Sequence, residues 1–305
     1  MGEPSRRPRA IVTGGAGFIG SHLVDRLLAE GVAVLVVDDL STGEPGNVAA
    51  EARLERLDIV GEDLEQLFRR WGPAIVFHLA AQVNVGLSAQ DPLRDLAVNV
   101  VGTHRVATAA STCGAGRLVF VSSGGAVYGE TSRPASETTP PAPTSYYGIH
   151  KLAAEGHVRL AEVPNVILRP SNVYGPRQRA GLEGAVVAGF IQQAVTGGRL
   201  ALHGDGTQTR DFVHVRDVIE ALWRLGQPGR PSGTWNVAVG KATTIIELAA
   251  IVEEACGHRL TREHGPRRPG DITHSAISAR RLGTLGWRPS VELPDGIAEL
   301  LHGGS

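Results

Sequence analysis

Cysteine, lysine and methionine are almost missing from this chain. Its 305 residues hold two cysteines, Cys113 and Cys256, one methionine and two lysines, Lys151 and Lys241. The cysteines lie far apart and outside any CxxC or HxH pattern, so a disulfide framework and a structural zinc site are excluded and no metal is expected. That usage fits a reducing, cytoplasmic compartment. Excess charge of either sign is also absent: 30 basic residues stand against 31 acidic ones. No basic field invites nucleic acid, and no acidic excess implies disorder. MGEPSRRPRA carries no apolar core ahead of the first aliphatic run, and no run of 18 apolar residues follows, so neither a secretion signal nor a membrane span is expected. Internal repeats, low-complexity tracts and flexible linkers are missing too.

What is present is alternation. Short aliphatic runs occur at AIV (10–12), VAVLVV (32–37), AIVFHLA (74–80), RLVFVS (117–122) and NVILRP (165–170). Amphipathic stretches separate them, with Leu23, Leu27 and Leu28, or Leu64, Leu67 and Phe68, at helical spacing. Near-continuous apolar strands between such helices predict βαβ units, and so a doubly wound α/β domain around a parallel sheet covered on both faces. Residues 1–170 are read as this domain. Residues 171–305, with a helix near 183–197, a short LALHG strand and the turn-rich GDGTQTRDF, are read as a smaller α/β lobe over the sheet, with chain crossings between the two. Ligand sites of open α/β sheets lie beyond the carboxyl ends of the strands, which directs attention to the long connections after 122 and 170.

TGGAGFIG (Thr13–Gly20) follows the first strand and opens the first helix, with glycines at 14, 17 and 20. Small residues there let a pyrophosphate approach the backbone at the positive end of a helix. Glycine also serves plain turns, but the second strand ends on Asp38, where a carboxylate can accept from a ribose 2′-hydroxyl and would repel a 2′-phosphate. NAD is therefore expected rather than NADP. Asp58 follows the third strand, read as apolar, and either caps the next turn or holds the adenine amine. HLAA (His78–Ala81) ends the fourth strand with small residues that let backbone pass close to a cofactor, and His78 itself reads as a packed histidine.

YYGIHK (Tyr146–Lys151) sets Tyr147 and Lys151 four positions apart on one face of a helix. With four tyrosines and two lysines in the chain, roughly 0.03 such pairs are expected by chance. An ammonium beside a phenol makes the phenolate more accessible, which turns a tyrosine into a usable base near neutral pH.

Taken together, TGGAGFIG, Asp38, HLAA, VSSGGAVYG (Val121–Gly129), YYGIHK and LRPSNVYGP resemble an extended short-chain dehydrogenase/reductase of the nucleotide-sugar epimerase/dehydratase family, over about residues 9–300. The resemblance implies a Rossmann sheet, with Tyr147 as acid/base and Lys151 as holder of the nicotinamide ribose. The family's third hydroxyl would fall on Gly124, so its role passes to Ser123 or Ser122, and Ser123 is the preferred reading. The implied cofactor contacts are Gly14, Gly17, Phe18, Ile19, Gly20, Asp38, Asp58, Ile59, Leu79, Ala80, Ala81, Asn99, Ser122, Tyr147, Lys151 and Pro170.

Dehydratases of this family place an Asp-Glu pair, and sugar-acid decarboxylases a glutamate, directly after the hydroxyl residue. Here Gly124, Gly125 and Ala126 stand instead. With no acid for a second chemical step, oxidation followed by re-reduction at one carbon remains, which points to a 4-epimerase; the run EGAVVAGF (183–190) resembles that of bacterial UDP-glucose 4-epimerases with the SSGGAVYG variant, which implies a UDP-hexose as substrate. A nucleotide-sugar 4-ketoreductase is the alternative, followed by a dehydratase, a decarboxylase or a non-catalytic NAD-binding protein. The resemblance further implies Asn172, Arg210, Arg268 and Asp271 as substrate contacts alongside Ser123, with the arginines on the diphosphate and Asp271 on the nucleotide ribose. Ser275, four residues past Asp271, falls where a tyrosine would exclude an N-acetyl group. A homodimer through helices of the first lobe is also implied.

Overall fold

A computed structural model describes residues 7–61, 64–181, 185–266 and 272–303. The aliphatic runs become strands β1 (Arg9–Thr13), β2 (Ala33–Asp38), β4 (Ile75–His78), β5 (Arg117–Val121) and β6 (Asn165–Pro170), each within a few residues of its predicted place. The third strand, β3 (Arg53–Arg56, RLER), departs from the expected apolar character. It lies at the sheet edge with residues exposed or half-buried, so it needs no continuous apolar run. Between the strands run α1 (Phe18–Ala29), α2 (Leu64–Trp71), α3 (Val85–Gln90), α4 (Pro92–Leu96), a π-helical turn over Ala97–Gly102, α5 (Thr103–Thr112), the short α6 (Gly124–Tyr128) and α7 (Tyr146–Leu160).

The sheet is parallel and seven-stranded. Its last member, Gly233–Val237, comes from the second half of the chain and sets Trp235 opposite Leu168. The order is that strand, then β6, β5, β4, β1, β2 and β3, the doubly wound Rossmann arrangement expected of the sequence. One face buries Leu23 and Leu27 of α1 against Leu222 and Leu225 of the helix Val215–Gly226. The other buries Phe68, Val106, Ala110 and Val158 from α2, α5 and α7. Burial on both faces explains why the strands read as aliphatic runs rather than alternating ones. A third cluster, including Phe190, Leu200, Leu248 and Ile297, forms the core of the smaller lobe.

α7 starts sharply after a proline-rich segment because Ser145 caps it, its side chain accepting from Gly148 N–H at 3.1 Å. The helix is fixed to the sheet by charge as well as by Ala154 and Val158. Glu155 is fully buried and takes a fork from Arg169, Nε at 2.7 Å and Nη2 at 2.6 Å, together with Ser122 Oγ at 2.7 Å and Arg159 Nη2 at 2.6 Å. Arg169, itself buried, lies over the Tyr128 ring, and the Tyr128 hydroxyl donates to Asn236 of the seventh strand at 2.9 Å. Burial alone would raise the Glu155 carboxyl, but Arg169, Ser122 and Arg159 outweigh it and hold the group below its ordinary value. The stabilisation this adds is present above the ordinary glutamate pKa and is lost as pH falls through the lowered value. Glu155→Ala leaves Arg169 buried without its anion and is expected to destabilise the fold by about 3–5 kcal/mol. Urea unfolding at neutral pH checks this; a loss below about 1 kcal/mol would mean that Arg169 finds another partner.

Candidate active site

The carboxyl ends of β1, β4, β5 and β6 lie at one edge of the sheet, and each delivers part of the site. After β1, Gly14 adopts φ +71°, and a Cβ on it would lie 2.6 Å from Ala80 N. A Cβ on Gly20 would lie 2.0 Å from Gly14 O. These contacts force glycine and leave bare backbone at the start of α1, whose first turn carries no acid. Unpaired N–H groups at such a helix start attract phosphate. Asp38 at the end of β2 is buried against this turn, accepting from Ala16 N–H at 3.0 Å and Leu40 N–H at 2.9 Å. Burial raises its carboxyl and the two backbone donors oppose that. Each oxygen keeps a second lone pair for a hydroxyl.

Of the two readings of Asp58, turn capping is realised, since its Oδ1 accepts from Val60 N–H at 2.9 Å. His78 is buried between two threonines, Nδ1 at 2.7 Å from Thr13 Oγ1 and Nε2 at 2.9 Å from Thr103 Oγ1, and burial pulls its pKa down to about 3. It is a packed neutral histidine. Asn99, in the π-helical turn, uses its amide nitrogen on Gln82 O and Asp95 Oδ1, which leaves its Oδ1 buried without a donor. An orphaned buried acceptor calls for a partner that the chain itself does not supply.

On α7, Tyr147, Lys151 and Glu155 follow one another at four-residue spacing, all buried. The Tyr147 backbone N–H, one of the helix's unpaired starting donors, is taken by Ser88 Oγ of α3 at 3.2 Å. Lys151 Nζ donates to Val121 O at 2.7 Å and lies 4.3 Å from the centroid of the Phe120 ring. Burial brings Lys151 down to about 7, against partial support from Glu155 and Asp95. The two serines after β5 differ in their engagement: Ser122 is buried and committed to Glu155, whereas Ser123 is half-buried and caps α6 without using its side chain.

Behind these serines the space is full. A Cβ on Gly124 would meet Ile277 Cδ1 at 2.5 Å and the carbonyls of Pro170 and Arg169 at 3.1 and 3.2 Å. A Cβ on Gly125 would lie 3.3 Å from Ser275 Oγ. Ser275 is buried, on a segment laced to the loop after α6: Glu130 accepts from Thr273 and His274 N–H at 2.8 and 2.7 Å, and Ala135 N–H donates to Ala276 O at 3.0 Å. Asn172 is half-buried, its N–H on Asp211 O. Arg210 Nη1 donates to Thr209 O and Ile272 O at 2.9 and 2.7 Å, so part of this guanidinium braces the lobe. Arg268 and Asp271 lie outside the described residues. Sequence reading passed over Glu155, Asp95 and His150; for Glu155 the signal was available, since it continues the Tyr147–Lys151 spacing by one more turn.

The fold and this layout have known counterparts. Residues 10–238 match the NAD dependent epimerase/dehydratase family. The chain belongs to that family. A UDP-glucose 4-epimerase of Mycolicibacterium smegmatis is 41% identical, the alignment covering 96% of this chain and 97% of that one. A Thermus thermophilus UDP-glucose 4-epimerase, solved in complex with NAD, is 38% identical with a TM-score of 0.93 over 97% of this chain and 100% of its own. A UDP-N-acetylglucosamine 4-epimerase of Methanobrevibacter ruminantium, solved with UDP-N-acetylmuramic acid, is 31% identical with a TM-score of 0.91, covering 97% of each chain. As a member of an NAD dependent family the chain uses NAD, and the residues fit that cofactor: the glycine cradle, the half-satisfied Asp38 and the orphaned Asn99 oxygen all await polar ligand groups. No helix among the described residues is long and apolar enough to cross a membrane.

The buried Lys151 should cost stability. Its folded pKa lies below its unfolded one, so the cost is fully present below about pH 7 and fades as pH rises toward 10.5. Lys151→Met is expected to stabilise the unliganded protein by on the order of 2 kcal/mol at pH 6.5, with the gain shrinking toward pH 10. Melting curves across that range check it; a gain independent of pH would assign the effect to packing.

Proposed function

We propose that the protein is an NAD-dependent UDP-hexose 4-epimerase interconverting UDP-glucose and UDP-galactose. The observation that carries this reading is that Gly125 and Ala126, the positions directly after the one where the family's hydroxyl would fall, bear no acid. Elimination and decarboxylation need a proton donor or base at that place. Reversible oxidation at one carbon needs none beyond the residues of α7. When bound, NAD supplies a hydride acceptor for C4 of the sugar and returns the hydride, so the ring passes through a 4-ketose with no net oxidation.

In this reading Tyr147 takes the proton from the C4 hydroxyl and gives it back, and Ser123 hydrogen-bonds the same oxygen, Ser122 being held by Glu155. Lys151 supplies positive charge beside the phenol and a donor for the nicotinamide ribose. The first domain, 1–170, holds the cofactor through the glycine turn and Asp38, whose charge disfavours a 2′-phosphate. The lobe 171–305 holds the sugar nucleotide through Asn172 and Arg210, with Arg268 and Asp271 assigned by sequence alone, while the ketose presents its other face. The named activities of the similar proteins agree with this assignment.

A homodimer through α3, α4, the π-helical turn and α7 belongs to the same proposal. Leu87, Leu93, Val101, Tyr146, Ile149 and Leu160 are exposed there, a concentration of apolar surface that a second copy of the chain would cover. A cytoplasmic location fits the two free cysteines.

Purified protein mixed with UDP-glucose and no added cofactor is expected to form UDP-galactose, and Tyr147→Phe is expected to lose at least a thousandfold in kcat while still binding NAD. A requirement for stoichiometric reduced cofactor would point to a 4-ketoreductase instead. For the sugar, Ser275 is the candidate for selectivity, since the resemblance sets it where a tyrosine would exclude an acetamido group. UDP-N-acetylglucosamine is therefore expected to be epimerised too, and Ser275→Tyr should suppress that substrate by tenfold or more relative to UDP-glucose. Equal losses on both substrates would remove Ser275 from selectivity.

A further inference from the structure

The steps above leave unused a buried pair beside the reacting face of α7. Asp95 of α4 is fully buried, and its Oδ2 meets His150 Nδ1 at 2.5 Å. Its Oδ1 accepts from Gln82 Nε2 at 2.6 Å and Asn99 Nδ2 at 3.0 Å. A carboxylate taken out of water stays ionised only where donors replace its hydration. Here they come from three separate segments: α7, the connection after β4 and the π-helical turn. His150 stands directly before Lys151 and three residues after Tyr147, so the pair grips the helix beside the groups that react.

Asp95 also decides the orientation of Asn99. The Asn99 amide nitrogen lies between Asp95 Oδ1 and Gln82 O, at 3.0 and 2.9 Å. A flipped amide would set its oxygen against two acceptors, one of them charged. The negative charge on Asp95 therefore leaves the Asn99 oxygen, and not the nitrogen, as the buried group without a partner.

We propose that Asp95 and His150 are a positioning pair for the reaction: Asp95 presents the Asn99 oxygen to a ligand hydroxyl and keeps a negative charge within electrostatic reach of Lys151, and His150 fixes Asp95. This rests on the reading of Tyr147 and Lys151 as the reacting pair. The other titratable groups around Lys151 are Tyr147 and Glu155 on α7 and His78 on β4. Glu155 is tied to two arginines and His78 is neutral between its threonines. Around His150, the Tyr146 ring lies tilted at 6.3 Å. Asp95 thus has a histidine rather than an arginine as its close partner, and removal of its charge should be felt at Lys151 as a loss of support for the ammonium.

The test uses the full-length protein with Asp95→Asn and His150→Asn, both close in size to the residues they replace. Removing a negative charge makes protons leave nearby groups sooner. In Asp95→Asn the kcat plateau should fall about tenfold and the acidic limb of the kcat profile should move to lower pH by about 0.5–1 unit. An asparagine at 95 can turn either end of its amide to Asn99, so the dissociation constant for NAD, read by calorimetry, should rise at least threefold. His150→Asn keeps the carboxylate and a donor to it, and should leave the plateau within about threefold. The wild type should show a low-field imidazole N–H proton resonance that both variants lose, a readout of the contact that does not depend on turnover. An unmoved acidic limb in Asp95→Asn, or an unchanged dissociation constant for NAD, overturns the proposal. Retained turnover in Tyr147→Phe would overturn the reaction reading instead, with the resonance still present.

Discussion

The buried carboxylate of Glu155 is the constraint on which the rest of the site depends. A charge with no exposed surface cannot be left with one partner, because the hydration it gives up is worth several kcal/mol even after relaxation. Glu155 answers this with four hydrogen bonds: two from Arg169 on β6, one from Arg159 and one from Ser122 after β5. Each fixes something else. Arg169 fixes α7 against the sheet and, through Tyr128 and Asn236, the strand that the second half of the chain contributes. Ser122 is withdrawn from any other use, which leaves Ser123 as the half-buried hydroxyl at the mouth of α6. One turn back along the helix, Lys151 is held against the Val121 carbonyl. The placement of Lys151 and of the two serines, the groups to which the proposal gives the chemistry, therefore depends on Glu155.

The second constraint is space. Gly124 stands where the family's hydroxyl residue would fall, and its surroundings give a cause for the glycine: a Cβ there would meet Ile277 Cδ1 at 2.5 Å and the carbonyls of Pro170 and Arg169 at 3.1 and 3.2 Å. A hydroxyl residue could enter only with a smaller residue at 277 or a small shift of the β6 end, where Arg169 is pinned by Glu155. Packing between the two halves of the chain thus moves the available hydroxyls to Ser122 and Ser123.

The fold was legible because a sheet covered on both faces imposes aliphatic runs on its inner strands, and five of the seven were read from that signal alone. β3 belied its expected apolar character because an edge strand is free of the demand; RLER is half solvated. Gly233–Val237 was lost among short elements because membership in the sheet depends on a crossing between lobes that has no local signature. At the site, Tyr147 and Lys151 stood out because lysine is so scarce here. Asp95 and His150 did not, being 55 residues apart and each unremarkable in its own segment. Burial of a charge is a property of the assembled structure, and only long-range packing turns these two polar residues into a pair.

The same packing divides the labour of the two halves. Groups that must hold a proton or a charge sit on α7 and at the ends of β4, β5 and β6, where the sheet and its buried ion pairs leave little freedom. The segment around Ser275, proposed as a wall of the sugar pocket, is held by exposed bonds from its backbone to Glu130, by the loop to Ala135, and by the buried Asn236 amide donating to Ser278 O at 3.1 Å. Such bonds are individually weak where water competes for both partners. A change at Ser275, whose Oγ lies beside Gly125, acts on that wall first, whereas a change at the buried Ile277 or on α7 reaches the end of β6 and the sheet. Under the proposed function, a substitution at Ser275 would change which sugars fit while α7 keeps its anchor, because that anchor is the buried fork of Arg169 on Glu155.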